Sequence, residues 1–159
     1  MKRLLFWLLM LAVAAGLRGQ GPSVTGDPAG AVPFEVNREF RAILIRVQVN
    51  AQPATMVVDT GSSHTILSSE LLHVRPPALQ HADAPAKGSG YVGKAAWAQA
   101  TVEVGAFRWT DRKLLVMDDF QEMSNSMSQR VDGILGEDVL TEFDSILIDF
   151  KHHRLFLVR

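Results

Sequence analysis

The sequence predicts an all-β, closed barrel-like domain with one or two short helices. Short apolar segments recur along the chain, each bounded by Gly, Pro, Asn or Asp, which is the pattern of many short strands. Period-two alternation is clearest where Ile43, Ile45, Val47 and Val49 interleave with Leu44, Arg46 and Gln48. Only two segments, Glu70-Leu71-Leu72 and Glu137 to Phe143, suit helices, and both are short.

Taken in order, the chain opens with Lys2 and Arg3, followed by an apolar run over residues 4–17. That run falls short of the roughly 20 residues a membrane-spanning helix needs and suits the core of a signal peptide. Ala12-Val13-Ala14 and Ala14-Ala15-Gly16 set small residues at cleavage spacing. Residues 1–19 are therefore read as a signal peptide or N-terminal anchor. Either way the rest is exported, to a periplasm or outside the cell, and it meets the membrane only if the segment stays uncleaved. Residues 20–32, rich in Gly, Pro, Ser and Ala, read as a flexible lead. Residues 33–159 read as the folded domain.

Within that domain the strand at Ile43–Val49 turns at Asn50-Ala51-Gln52-Pro53 and returns over Ala54–Val58. Val57-Val58 is apolar on both faces, as in a buried strand. The hairpin thus delivers Asp59 to its end. Thr65-Ile66-Leu67 is a further short strand, and Ser68 or Ser69 caps the helix after it. Residues 76–85 are linker-like. Gly88-Ser89-Gly90-Tyr91-Val92-Gly93 opens a long β segment that ends near Val104-Gly105. Phe107-Arg108-Trp109 and Leu114-Leu115-Val116-Met117 read as two separate strands. Asp118 to Arg130 is polar and reads as a loop or weak helix. Glu137 and Asp138 start the second helix, where its dipole favours negative charge. Ser145–Asp149 and Arg154–Val158 form a closing hairpin around Lys151-His152-His153.

Composition narrows the function. There are 16 basic and 17 acidic residues, a net charge of −1 and no basic stripe, so nucleic acid is not expected as a partner. Cysteine is absent, which excludes disulfides, thiolate metal sites and a thiol nucleophile. The histidines, at 64, 73, 81, 152 and 153, form no His-x-x-x-His pair, so neither metal nor cofactor is expected. Ser62 or Ser63 as a nucleophile would need a base in reach, and only His64 is adjacent.

The feature that carries chemistry is Val57-Val58-Asp59-Thr60-Gly61-Ser62-Ser63, with Val131-Asp132-Gly133-Ile134-Leu135-Gly136 further on. An acid at the end of a buried apolar strand is costly unless it is paired or used. Several hydroxyls cluster beside it, at Ser62, Ser63 and Thr65. Together the two segments resemble the active-site half of a retropepsin-like aspartic peptidase, and the similarity covers most of residues 40–159. It is nearest to single-domain bacterial members that are exported or membrane-linked.

The resemblance implies a retropepsin-like (acid protease) closed β-barrel and the following roles. Asp59 is the catalytic carboxylate. Thr60 bonds across a two-fold axis to the partner loop, Gly61 lets its backbone approach the carboxylates, and Ser62 bonds the outer carboxylate oxygen. Ile134, Leu135 and Gly136 pack beneath the loop and support it. A flap within residues 86–100, with Gly90, Tyr91, Val92 and Gly93 at its core, covers an extended polypeptide substrate. The chemistry needs two such acids and the chain has one Asp-Thr-Gly, so the active form implied is a homodimer with Asp59 from each copy. The chain departs from retroviral members, which pair an acid with an arginine where this sequence has Ser63 and Glu137. The alternative reading is a non-catalytic peptide-binding module on the same fold, since fold does not fix function.

Overall fold

Left-handed turn residues and apolar alternation set a central hairpin, and the sheet is built outward from it. The computed structural model describes residues 30–73, 80–81, 86–88, 91–93, 95–118 and 120–159. The N-terminal segment 1–19, residues 20–29 of the lead, most of the linker-like stretch and Gly90 lie outside the described residues. Strand β1 spans Ala31–Val36, β2 Ile43–Val49 and β3 Gln52–Val58. β2 and β3 pair antiparallel from Ile43↔Val58 to Val49↔Gln52. Their turn is tighter than the expected Asn50-Ala51-Gln52-Pro53. It consists of Asn50 and Ala51 alone, at φ 49° and 62°, a pair whose twist matches the flanking strands. β1 pairs with β2 and begins two residues ahead of the expected domain start, with Val32 and Phe34 buried.

The remaining elements are β4 (Ile66–Ser68), α1 (Ser69–Leu72), β5 (Gln80–His81), β6 (Ala86–Gly88), β7 (Tyr91–Gly93), β8 (Ala95–Val104) and β9 (Phe107–Met117). They are followed by α2 (Phe120–Ser126), β10 (Gly133–Leu135), α3 (Glu137–Leu140), β11 (Ser145–Asp149) and β12 (Arg154–Val158). The main sheet runs β11-β12-β1-β2-β3-β10-β4-β9-β8-β5, and a further pairing of β2 with β8 closes β2-β3-β10-β4-β9-β8 into a barrel. The closed, mostly β fold is the one the sequence predicts.

Four details depart from the expectation or decide it. β9 is continuous from Phe107 to Met117: the polar stretch Thr110 to Lys113 holds a register shift, between Ala100↔Arg112 and Val102↔Trp109, and the pairing with β8 resumes on either side of it. Of the loop or weak helix expected over residues 118–130, the chain takes the helix α2, held by the buried Phe120. Gly133-Ile134-Leu135 is a strand in its own right, parallel to β3 and antiparallel to β4. The described residues therefore hold three short helices, and α3 stops at Leu140, short of Phe143.

Apolar residues fill both faces of the sheet near the acid loop. Ile45, Met56, Leu67, Leu114 and Leu135 pack inside the barrel. Their chain neighbours Leu44, Val57, Ile66 and Leu115 pack on the opposite face with Phe120 and Val131, as strand alternation requires. Trp97, Met123, Met127 and Ile134 border this second layer and are only partly covered.

Toward the β8–β9 turn, Glu142 gathers the end of the domain. It accepts from Trp109 Nε1 at 2.8 Å and Arg159 at 3.0 Å, and it also pairs with Arg112. The Arg159 guanidinium lies over the rings of Phe107 and Phe143, each at 5.2 Å. Burial pushes the Glu142 pKa up. The hydrogen bonds from Arg112 and Trp109 and the charges of Arg112 and Arg159 outweigh it, so the net shift is down. A carboxyl with a lowered folded-state pKa contributes stability that is present above its unfolded value and lost as pH falls through the folded value. Unfolding midpoints of the parent are expected to drop as pH falls below about 4.5, and a Glu142→Gln variant should start lower and show a shallower acid dependence. With its side chain 35 % exposed, the effect is tempered by solvent. Equal acid slopes for the two proteins in urea melts would contradict this.

Candidate active site

β3 ends at Val58, which is partly buried against the barrel core and paired with β2 and β10, and the chain leaves the strand at Asp59. Asp59 is partly exposed, while Thr60 and Gly61 are exposed at the crest of the loop. The turn closes on the acid itself. Ser62 N–H donates to the Asp59 carbonyl at 3.3 Å, and Gly61 N–H donates to the Asp59 carboxylate at 2.8 Å. A Cβ on Gly61 would stand 3.1 Å from that same oxygen. A side chain here would crowd that oxygen, which would have to give by a few tenths of an ångström.

The loop is strapped to the second motif at each step. Asp59 N–H donates to the Leu135 carbonyl at 3.1 Å, and Glu137 N–H to the Ser62 carbonyl at 2.7 Å. Gly136 N–H donates to Thr65 Oγ1 at 3.1 Å. A Cβ on Gly136 would lie 2.4 Å from the His64 carbonyl carbon, so no side chain fits where the segments cross. Ile134 and Leu135 pair with Val57 and Val58 directly beneath the acid. Where retroviral members use an ion pair, Glu137 here bonds the loop through its backbone, and Ser63 Oγ lies 2.9 Å from His64 Nδ1.

Two side chains depart from the sequence reading. The Ser62 hydroxyl, expected on the carboxylate, donates to the His64 carbonyl at 2.8 Å. Its single proton is spent within the loop, and the carboxylate is bonded by Gly61 N–H instead. Asp138, read only as a favourable charge at a helix start, is a lock. Its Oδ1 accepts from Thr65 N–H at 2.8 Å and from Thr65 Oγ1 at 2.7 Å, and Thr65 is fully buried. The Ser/Thr-rich stretch after the acid and the acid beyond Gly136 were the available signals, but nothing local pairs positions so far apart. Asp138→Ala strips both donors of their charged acceptor and is expected to cost about 3 kcal/mol in urea unfolding. Asp138→Asn, which keeps an acceptor oxygen, should recover much of that loss. Equal stability for parent and Asp138→Ala would show that the lock is not needed.

The other acid near a glycine, Asp132, has a structural role. It is buried and accepts from Thr55 N–H at 2.9 Å and Arg130 Nε at 2.6 Å. His64 is exposed and meets Trp97 edge-on, with ring centroids 5.6 Å apart. Met117 is buried, whereas Met123 and Met127 line the half-covered layer. β6 and β7 pair as a hairpin, with Lys87↔Val92 and Gly88↔Tyr91 in register. It leads to β8 at the end where Leu115 of the neighbouring β9 bonds Thr65. Tyr91, Val92 and Gly93 thus lie on the strand of a hairpin. A polar cleft of about 510 Å³, lined by residues such as Ser68, Asn125, Arg130 and Asp132, does not include Asp59. Among the described residues no group of three or more His, Asp or Glu side chains is arranged to hold a metal ion.

These features agree with comparisons to known proteins. Residues 45–139, more than half of the chain, match the family model described as aspartyl protease. A crystal structure of a retropepsin-like aspartic protease from Rickettsia conorii is similar at a TM-score of 0.58 and 22 % identity, over 80 % of this chain and 89 % of that one. The EIAV protease, solved with the inhibitor HBY-793, is similar at a TM-score of 0.50 and 17 % identity, over 70 % of this chain and 97 % of that one. No curated protein sequence matches the chain. The barrel is a retropepsin-like fold, and the chain belongs to the aspartyl protease family.

Proposed function

We propose that the protein is an aspartic endopeptidase whose active form is a homodimer, with Asp59 of each copy meeting at a two-fold axis. The observation that carries this reading is the acid loop itself. Its carboxylate is partly exposed, bonded by Gly61 N–H and held on a base of β10 and Asp138. One such carboxylate is half of the machinery. Two carboxylates a few ångströms apart do not both ionise readily, so the pair keeps one proton between them. The ionised member takes a proton from a water held between the two as that water attacks the scissile carbonyl. The protonated member gives a hydrogen bond to the developing oxyanion. The tetrahedral intermediate collapses as the amine leaves with a proton. Thr60 bonds the partner loop, and Gly61 holds the carboxylate in place. Ser62 shapes the loop through His64.

The substrate is a polypeptide bound as an added strand between the acid loops and the β6–β7 hairpin that carries Tyr91, Val92 and Gly93, with alternate side chains in pockets. The half-covered layer of Trp97, Ile134 and the nearby methionines offers apolar surface for those side chains. The proposed chemistry calls for no cofactor. Export through residues 1–19 would place the enzyme in a periplasm or outside the cell. The test is to incubate the domain with a diverse peptide mixture from acid to neutral pH and to read new termini by mass spectrometry. New termini made by the parent and not by Asp59→Asn are the expected result. A folded, dimeric protein that makes none at any pH would replace the enzyme with a peptide-binding module.

A further inference from the structure

The polar cleft of about 510 Å³ beside Asp132 has no part in the chemistry above. Its size falls in the range of small-ligand sites. Ser68 and Glu70 at the start of α1, the α2 residues Gln121, Ser124 and Asn125, and the segment 128–132 form its walls. It lies away from the acid loop. Asp132 bonds Thr55, which precedes Asp59 by four residues, or about 13 Å of strand at roughly 3.3 Å per residue.

The walls are pinned, yet part of their bonding capacity is left over. Asp132 N–H donates to the Thr55 carbonyl at 2.7 Å, and Ser68 N–H to the Asp132 carbonyl at 2.8 Å. Ser124 Oγ accepts from Val131 N–H at 2.9 Å and donates to the Val131 carbonyl at 3.2 Å. Gln121 Nε2 donates to Asn125 Oδ1 at 3.0 Å. That leaves Asn125 Nδ2 as a donor and Gln121 Oε1 as an acceptor for a ligand. The charges follow the same pattern. Both oxygens of the buried Asp132 are engaged, one by Thr55 N–H and the other by Arg130 Nε. Arg130 is thereby held by one nitrogen, and its Nη1 and Nη2 fork has no partner among the described residues. Glu70, exposed on the α1 wall, makes no side-chain hydrogen bond or ion pair among them either. The two charges still act on each other. The Arg130 pKa is raised chiefly by the hydrogen bond and charge of Asp132, and more weakly by the charge of Glu70.

We propose that this cleft binds a short peptide with both ends free, its carboxylate on the Arg130 fork and its ammonium on Glu70. A guanidinium fork steadied at Nε by a carboxylate suits a planar anion with two oxygens. A lone anion would be repelled by Glu70 and a lone cation by Arg130, whereas a zwitterion answers both charges. The free amide groups of Gln121 and Asn125 complement the peptide bonds between the two ends. Short peptides of this kind are what the proposed cleavage would release. Only that link rests on the peptidase reading; the binding site does not.

The test follows backbone amide resonances of the Asp59→Asn protein during titration with trialanine, with N-acetyl-trialanine and trialanine amide as the blocked controls. That variant keeps the peptide intact. Resonances of Ser124, Asn125 and Gln129 should shift and saturate with trialanine, while those of Thr60 and Gly61 report on the acid loop separately. Blocking either end should weaken binding at least ~10-fold. Glu70→Gln, at an exposed position, should leave circular dichroism unchanged and weaken trialanine binding by a similar factor. Arg130→Lys, which keeps a charge beside Asp132 and loses the fork, should do the same. Cleft resonances that never move, or that move equally for all three peptides and in both variants, overturn the site. Shifts confined to the acid loop overturn it too, and leave the peptidase reading standing. Charge-dependent binding in the cleft of a protein whose parent never cleaves would uphold the site and remove only its link to cleavage products.

Discussion

Asp59→Asn is expected to lower kcat by on the order of 10²–10⁴-fold or more while leaving the fold and the dimer in place. Asparagine is nearly isosteric and its side-chain oxygen still accepts from Gly61 N–H, so the loop keeps its shape. In the proposed mechanism, what is lost is the group that takes the water's proton and shares one proton with its twin. KM should move little, because Asp59 contributes more to the transition state than to ground-state binding. The check is cleavage of a fixed peptide by parent and variant, with sedimentation confirming an unchanged assembly. A variant with parental kcat would remove Asp59 from the chemistry.

Gly136→Ala is expected to have the largest effect on stability. The added Cβ would sit 2.4 Å from the His64 carbonyl carbon and oxygen and 2.8 Å from the Ser62 carbonyl oxygen. All three are backbone atoms, so no side-chain rotation relieves the clash. The segments must separate, straining the bonds from Glu137 N–H to Ser62 and from Gly136 N–H to Thr65. The cost should reach roughly 3 kcal/mol or more, at the upper end for overpacking. Cleavage should fall as well, since the loop that aims Asp59 is the part displaced. Urea unfolding followed by tryptophan fluorescence measures the first effect. A variant as stable as the parent would mean that the two motifs do not lock together in solution as tightly as this geometry requires.

Local pattern made much of this architecture legible. The hairpin over residues 43–58 and the closing pair Ser145–Asp149 and Arg154–Val158 follow from alternation and turn residues, and both were read within a few residues of their ends. The acid loop was legible because Asp59, Gly61 and Gly136 each meet a demand that few residues satisfy. Features set by distant partners were not legible. β10 has three residues and is a strand only because β3 and β4 flank it. The interior of β9 is polar and is held by β8 rather than by its own pattern. Asp138 looks like any acid at a helix start until Thr65 is placed against it. The direction of the Ser62 hydroxyl is a choice between nearby acceptors that a sequence does not record.

The central claim is that one active site is built from Asp59 of two chains, and mixing parent with the Asp59→Asn chain tests it most directly. Equal amounts are combined and left to exchange subunits, and the activity is compared with that of the same amount of parent alone. Random pairing puts about half of the parent chains into dimers with a single carboxyl, so activity should fall to roughly one half and decline further with excess variant. Activity unchanged by any excess of the variant, in a mixture shown to exchange, would contradict the shared site.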